Sequence, residues 1–529
     1  MLWTGDSFLQ EQAMRPKEDW ISSYPPNGLS QSQYDQVTLL WSQLSKWAKN
    51  EKKAEMCQRF FLEFYLYLDC YCLASVLKQA SQSYFDYFKV EILSFSTLPQ
   101  FSHFFFLRHC KVDLNLIEKS SIFLLFQNGC IGGITSMVHK YQETNSPSLA
   151  GFNPKKTIQN VIQLDKVSLF PSSSYKEPLP WGHFREFSPD ETSAYFLSMQ
   201  KDGIIDDWCD QFAFTKKLPS GLLLDMGLVF CCDLEIPKIY HTFFDCYIPI
   251  AEYRVISPDL LSEYQNRIMK EMKKKPEKQK RVLLSLLPKE KSIIHYRILK
   301  WLINHGIRIT AVHTIVEFAQ SCYMTEIVEL VADKRRNANT KVEANAARAC
   351  LNYVWGRCLL SAKKYLNAKV VYTKQAFDDQ TSRFTFKSFS RFGDNVGVVT
   401  HSKRSYVAKN LVYVSFTILM NSKLSMCTLF FCKLRFLLQL SNWSCTLNYT
   451  DTDSANVLFK QHPTTKCRLN ENLLIIPPFS DSNREPEAFF NRPPNAVSHA
   501  RRSEKSMRRN GKKTKAPFPM NRRLLFSLL

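Results

Sequence analysis

Hydrophobic and polar positions divide the chain into blocks of different period. The first fifty residues are polar and include the pair Pro25 and Pro26. Arg59 to Tyr87 (RFFLEFYLYLDCYCLASVLKQASQSYFDY) is then an apolar, aromatic run of helical length, which predicts a buried helix pair. A second apolar segment contains Gly132 and Gly133. In Asn160 to Pro171 (NVIQLDKVSLFP), Val161, Ile162, Leu164 and Val167 suit a buried strand that Pro171 would stop. His295 to Lys363 reads as helix-rich. Between Phe384 and Met420 the pattern turns to alternation and β-branched runs (VGVV, NLVYVSFTIL), which predicts strands. No repeat with a period of 20 to 50 residues is visible.

With 529 residues, 45% apolar and 13% aromatic, the chain can bury two to four cores and is neither disordered overall nor collagen-like. Its 70 basic against 48 acidic side chains give a net charge of +22, which points to polyanionic partners. Part of that excess lies in Arg267 to Arg281, including Lys273, Lys274 and Lys275, a solvated basic surface or hairpin tip. Residues 455–529 hold eight of the 24 prolines and 15 basic against 5 acidic side chains, the composition of a disordered tail. Within it Arg501 to Lys515 (RRSEKSMRRNGKKTK) suits a nuclear-localisation or nucleic-acid patch, and equally a tail that is merely soluble. The 16 cysteines include no two CxxC pairs at zinc-site spacing, which argues against zinc. The opening residues, MLWTGDSFLQ, lack the basic region of a signal peptide, so the thiols read as reduced and intracellular. Lys433 and Arg435 interrupt the apolar stretch Ser425 to Leu440, and the expectation is a soluble protein without a membrane partner.

Two short acidic strings carry the candidate chemistry. Asp165-Lys-Val-Ser-Leu-Phe-Pro171 stands at a strand end, and Tyr449-Thr-Asp451-Thr-Asp453-Ser454 follows far downstream. Carboxylates presented by neighbouring strands suit two Mg²⁺ ions that clamp an attacking 3′-oxygen and a leaving pyrophosphate. Taken singly, each string could be an ordinary turn.

Together, and in this order, the strings resemble motifs A (DxxSLYP) and C (DTDS) of family B DNA polymerases. Between them Arg348-Ala-Cys-Leu-Asn352-Tyr-Val-Trp355-Gly356 is similar to motif B (Kx₃NSxYG), and Cys130-Ile-Gly132-Gly133 to the YxGG element. Tyr65-Leu-Tyr-Leu-Asp69 resembles the third exonuclease motif. The blocks GGITSMVHKY, PLPWGHF, HYRILKWLINHGIRITAVHTIVEF and LVYVSFTILMNSKLSM resemble the protein-primed branch found in viruses, linear plasmids and Maverick- or Polinton-type transposons. The resemblance runs from about residue 30 to residue 455.

That resemblance implies an α+β fold: a right-hand palm of antiparallel strands with helical fingers, preceded by a partial exonuclease-like α/β domain. The expected parts are that domain over 1–110, linker and palm with motif A over 111–254, fingers over 255–375, palm with motif C over 376–455, and a disordered basic tail over 456–529. The implied activity is DNA-directed DNA synthesis on a primer-template from deoxynucleoside triphosphates, with two Mg²⁺ (or Mn²⁺) ions and a terminal priming protein. Asp165 and Asp453 are the implied metal ligands, with Asp451 beside them. Ser168, Leu169 and Phe170 would meet the nucleotide, Phe170 placing an aromatic ring under the deoxyribose. Arg348, Asn352 and Gly356 would face the triphosphate, with Arg348 where the family has Lys, a change that keeps charge but not shape. Gly132, Gly133, Lys273, Lys274, Lys275, Arg335 and Arg336 would meet DNA. A DxE motif before Tyr65 and a KxY motif and thumb after motif C are missing, so no proofreading activity and a copy clipped at both ends are expected. The alternative is an inactive nucleic-acid-binding remnant.

Overall fold

The computed structural model describes residues 14–19, 29–50, 58–201, 213–273, 279–360, 367–392, 396–402, 409–435 and 443–461. They form a mixed structure of helices and antiparallel sheets. Residues 1–96 with 338–346 make one compact unit, and 97–337 with 347–529 the other.

The first unit is built on α1 (Gln31–Asn50) and α2 (Gln58–Phe88). Trp41, Leu44 and Phe61 form its core, the Trp41 and Phe61 rings lying 5.3 Å apart. The expected buried helix pair is instead one continuous helix, because no Gly or Pro interrupts Gln58 to Phe88. Nor is it buried along its length: every residue from Tyr65 to Gln79 is exposed, although the run is apolar on all sides.

The second unit contains the helices α3 (Leu98–His109), α4 (Ser120–Gly129), α5 (Leu169–Ser172), α6 (Pro189–Lys201), α7 (Glu263–Glu271), α8 (Tyr296–Asn304) and α9 (Met324–Arg336). Further along come α10 (Lys341–Leu359, whose first six residues fall in the first unit), α11 (Lys374–Thr381) and α12 (Val412–Cys427). One four-stranded sheet joins β1 (Thr135–Met137), β2 (Gln159–Asp165), β13 (Trp443–Asp451) and β14 (Ser454–Gln461) in the order β1-β13-β14-β2. A five-stranded sheet has β3 (Leu179–Glu186), β9 (Arg308–Ser321), β5 (Leu223–Glu235) and β4 (Ala213–Lys217) in that order, with β8 (Lys289–His295) also on β5. Two small sheets pair β6 (Ala251–Val255) with β7 (Lys280–Leu284), and set β12 (Gly397–His401) between β10 (Asn367–Val371) and β11 (Phe386–Arg391).

Several expectations are corrected. The strand expected to run to Pro171 ends at Asp165, and Pro171 sits in the short helix α5, a first-turn position where its missing N–H costs nothing. The helix-rich stretch from His295 contains the fourteen-residue strand β9, whose β-branched Ile309, Thr310, Val312, Thr314, Ile315 and Val316 favour a pleated surface; the helical fingers expected over 255–375 are correspondingly interrupted by β7, β8 and β9. Strands are present at Phe386–Arg391 and Gly397–His401, but Val412–Met420 is helical. The tail expected to be disordered from residue 456 begins later, since Ser454–Gln461 is a strand with Ala455, Val457 and Phe459 buried. The rest of the tail, Arg501 to Lys515 included, lies outside the described residues.

Helix α12 is the centre of the second unit. It packs against α4, α8 and β3, and fourteen of its sixteen residues are buried. Its β-branched residues favour a strand intrinsically, but complete burial on all sides outweighs a preference of tenths of a kcal/mol per residue. Phe416 lies 5.3 Å from Phe126 of α4, ring to ring, and a Cβ on Gly129 would come within 2.5 Å of the Phe416 ring, so the glycine sets the helix spacing. Among the described residues two helical stretches are long and apolar enough to cross a membrane by length and composition: α2, and Val412–Arg435, in which α12 continues as a π-helix and which is mostly buried in the protein.

The two apolar helices respond differently to truncation. Phe416→Ala is expected to lower the unfolding free energy by about 3–5 kcal/mol, whereas Tyr67→Ala in α2 changes it by about 0.5 kcal/mol or less. Urea titration of both variants checks this, and equal losses would contradict the burial difference.

Candidate active site

The end of the four-stranded sheet gathers the acidic strings. Strand β14 pairs with β2 so that Ser454 faces Asp165, and with β13 so that Ser454 also faces Asp451, while Thr135 of β1 faces Asp451. One cross-strand row therefore reads Thr135, Asp451, Ser454, Asp165. Neighbouring strands are about 4.8 Å apart, which puts Asp451 and Asp165 about two spacings apart with the Thr452-Asp453 turn between them.

That turn is tightly closed. The Asp453 amide donates to the Asp451 carbonyl at 2.6 Å around Thr452, which takes φ 57°. A positive φ is uncommon for a β-branched residue and is strained. Three contacts hold it: the Thr452 amide donates to the Ile134 carbonyl at 3.0 Å, the Lys166 amide to the Asp453 carbonyl at 2.8 Å, and the Thr135 hydroxyl to Asp451 Oδ1 at 2.8 Å. Gly133 lies against the turn, where a Cβ would come within 2.5 Å of the Thr452 side chain, so only glycine fits. A Cβ on Gly132 would meet open space.

The carboxylates oppose one another. Partial burial raises the Asp453 pKa above its ordinary value, the charges of Asp165 and Asp451 raise it further, and Arg348 works against them. A row of mutually repelling, acceptor-only oxygens suits a hard divalent cation. Among the described residues no group of three or more His, Cys, Asp or Glu side chains is arranged to hold a metal ion. Mg²⁺ binds through one or two carboxylates together with water and substrate oxygens, so the donor set fits that ion without a closed cage.

Helix α10 presents two faces. Ala346, Ala347, Cys350, Val354 and Cys358 are buried, while Arg348, Asn352, Trp355 and Gly356 fall on the other side at helical spacing. The Trp355 ring stacks flat on Phe170, centroids 4.4 Å apart and planes 5° apart. Its indole N–H donates to the Ser415 carbonyl at 3.1 Å, and the Ser415 hydroxyl donates to the Trp355 carbonyl at 2.6 Å. Phe170 reaches this position because Ser168 enters α5 in the left-handed region, φ 56°, with Leu169 and Pro171 buried beneath.

The structure thus brings together Asp165, Asp451, Asp453 and Arg348, and separately joins Phe170 to the Asn352 and Gly356 face of α10 through Trp355. Other candidates sit on helix ends. Lys273 is exposed just after α7, and Arg335 and Arg336 occupy the exposed last turn of α9, where Arg336 pairs with Asp333. Lys274 and Lys275 lie outside the described residues. Sequence reasoning missed Thr135, Lys166, Ser415, Asn421, Lys423 and Ser425. The available signal was the set of polar residues inside the otherwise apolar run Leu411 to Met426.

The fold and site define a mixed α and antiparallel-β protein with a carboxylate row on a sheet end beside an arginine-bearing helix. Residues 29–207, 179 of the 529, match the family DNA polymerase type B, organellar and viral, and the resemblance drawn from the motifs is thereby borne out. Among solved structures, Phi29 DNA polymerase complexed with primer-template DNA and incoming nucleotide substrates is similar at 12% identity, over 72% of this chain and 51% of that one, with a TM-score of 0.36. The same polymerase in its post-translocation binary complex with primer-template DNA matches at 11% identity, over 69% and 48%, with a TM-score of 0.34. The chain spans about half the length of these polymerases. No curated protein matches it.

The repulsion at Asp453 has a measurable sign. A carboxyl whose folded pKa lies above its unfolded value of 3.8 contributes stability that is complete below that pH and is lost as pH rises through the folded pKa. In metal-free buffer Asp453→Asn should therefore melt with the parent below about pH 4 and above it at pH 7. A parent that is the more stable of the two at pH 7 would refute the crowding.

Proposed function

We propose that the chain is a DNA-directed DNA polymerase of the protein-primed type B kind, in which β1, β13, β14 and β2 form the palm and α9 with α10 the fingers. The observation that carries the reading is the pairing of Ser454 with both Asp165 and Asp451, which unites motifs A and C at one sheet end. The partial exonuclease-like domain would lie over 1–110, although the described residues there form only helices and not the expected mix of helix and strand.

Asp165 and Asp453 would hold the metal, and Asp451, with one oxygen already bonded to Thr135, would fix the turn. Two Mg²⁺ ions, when bound, would polarise the primer 3′-oxygen and the triphosphate. Arg348, whose charge acts on Asp453, would meet the triphosphate's negative charge. Amides at the start of α5 lack intrahelical partners and would receive phosphate oxygens. Phe170 would lie under the deoxyribose, its ring plane fixed by Trp355, and would crowd out a 2′-hydroxyl. Exposed Lys273, Arg335 and Arg336 would add sequence-independent attraction for the DNA backbone. A terminal priming protein and an origin in a virus- or transposon-derived element belong to the same reading.

A second reading, a nucleic-acid-binding remnant without synthesis, rests on the substituted motif B, where Trp355 lies flat against the gate ring. Primer extension with Mg²⁺ or Mn²⁺ separates the two. The parent should extend a primer, and Asp165→Asn or Asp453→Asn should each reduce the rate by about 10²–10³-fold or more, the scale of losing one electrostatic stabiliser. Binding that weakens with salt but supports no extension would establish the remnant instead.

A further inference from the structure

Four polar side chains of helix α12 are each bonded to a different segment bearing the candidate site. Ser415 holds Trp355, the Asn421 amide donates to the Ser173 carbonyl at 3.2 Å just past α5, and Ser425 accepts from Lys166, the residue after Asp165. The fourth is Lys423, 6% exposed, whose ammonium donates to the Ile131 carbonyl at 2.9 Å.

Lys423 is the most costly of the four. Burial lowers its pKa to about 8, and the ionisable groups beside it are the buried thiols of Cys130 and Cys427, not a carboxylate. Burying a cation without an ionic partner is unfavourable, and an apolar side chain would fill a core helix position more stably. Asn128, Gly129, Ile131 and Lys423 also line a cavity of about 450 Å³. On that side the backbone after α4 borders the cavity; its own turn bonds run from the Cys130 amide to the Gln127 carbonyl and from the Ile131 amide to the Gly129 carbonyl, and the ammonium–carbonyl bond is what ties it to α12. Two residues on, Gly133 touches Thr452; the Ile134 carbonyl accepts the Thr452 amide, and Thr135 bonds Asp451.

We propose that Lys423 is a positioning residue for the metal-binding carboxylates, acting through the segment 131–135 on the turn that carries Asp451 and Asp453. The role in metal binding rests on the polymerase reading; the mechanical link does not. Lysine suits the task because its long stem crosses apolar surroundings and delivers a donor to a carbonyl that no neighbouring strand reaches.

Two measurements on the full chain test it: hydrogen–deuterium exchange of peptides covering 131–135 and 449–454, and Mn²⁺ affinity by electron paramagnetic resonance. Lys423→Met should speed exchange in both peptides about tenfold, weaken Mn²⁺ binding about tenfold and leave exchange in β9 at the parent rate. Lys423→Arg, which can still donate to the carbonyl, should restore both. Exchange in Lys423→Met equal to the parent's, or an equal rise in β9, would overturn the proposal. If Lys423→Met does not fold, Lys423→Gln, whose shorter side chain cannot reach the carbonyl, is judged on the same outcomes. A parent that binds Mn²⁺ no better than Asp453→Asn would sink the metal-site reading, while the exchange result would still decide the role of Lys423.

Discussion

The site depends on the pairing of β14 with β2, a contact between residues 289 positions apart that sets Ser454 opposite Asp165. Its register is fixed from the other face of the sheet. Ala455 pairs with Leu164 and Thr450, and these three are buried, as are Val457 and its partner Leu447. Because strand side chains alternate, burying Leu164 sends Asp165 to the opposite face, where Ser454 and Asp451 also point. A slip of one residue would bury Asp165 and expose Leu164, at a cost of both desolvating a carboxylate and losing apolar contact. The hydrophobic core of the sheet thus selects which carboxylates meet, although none of its members touches the chemistry.

Holding the row together is unfavourable locally. Asp165, Asp451 and Asp453 repel, Thr452 sits at positive φ, and α12 buries an ammonium beside thiols that burial pushes up, Cys130 to about 12. These terms are offset by the surrounding packing: Phe126, Phe416 and Tyr413 are among the largest fully buried side chains, and they hold α12 in place. Strain and like charge concentrated on one sheet end are the arrangement expected of a binding site.

How much of this was legible in the sequence follows from the range of the interaction involved. The two acidic strings could be read because each is local, and their order sufficed to pair them; the structure added only the register. Gly133 stood out as a glycine, but its reason, the Thr452 side chain 319 residues away, is a tertiary contact. Propensity misled at α12, where Val412, Val414, Thr417 and Ile418 suggest a strand, and composition misled at β14, whose few apolar residues were overshadowed by the basic, proline-rich stretch that follows. The exposure of α2 was unreadable for the same reason: an apolar run says that a helix gains from burial, not that a neighbour exists to provide it.

Helix α10 shows how such a site can change while the fold stays. Its core positions, Ala346, Ala347, Cys350, Val354 and Cys358, are interleaved with Arg348, Asn352, Trp355 and Gly356 on the opposite side, so substitutions on the second set leave the first undisturbed. Arg348 and Trp355 are accommodated there, the indole by stacking on Phe170 and bonding Ser415. The carboxylate row has no such latitude. Asp165 and Asp451 are fixed by strand register and Asp453 by the closed turn between them, and replacing Asp453 with a neutral residue would relieve repulsion and stabilise the empty fold. At Asp453, burial and the charges of Asp165 and Asp451 push the pKa up while Arg348 acts against them, a crowding that the packing of the sheet does not itself require.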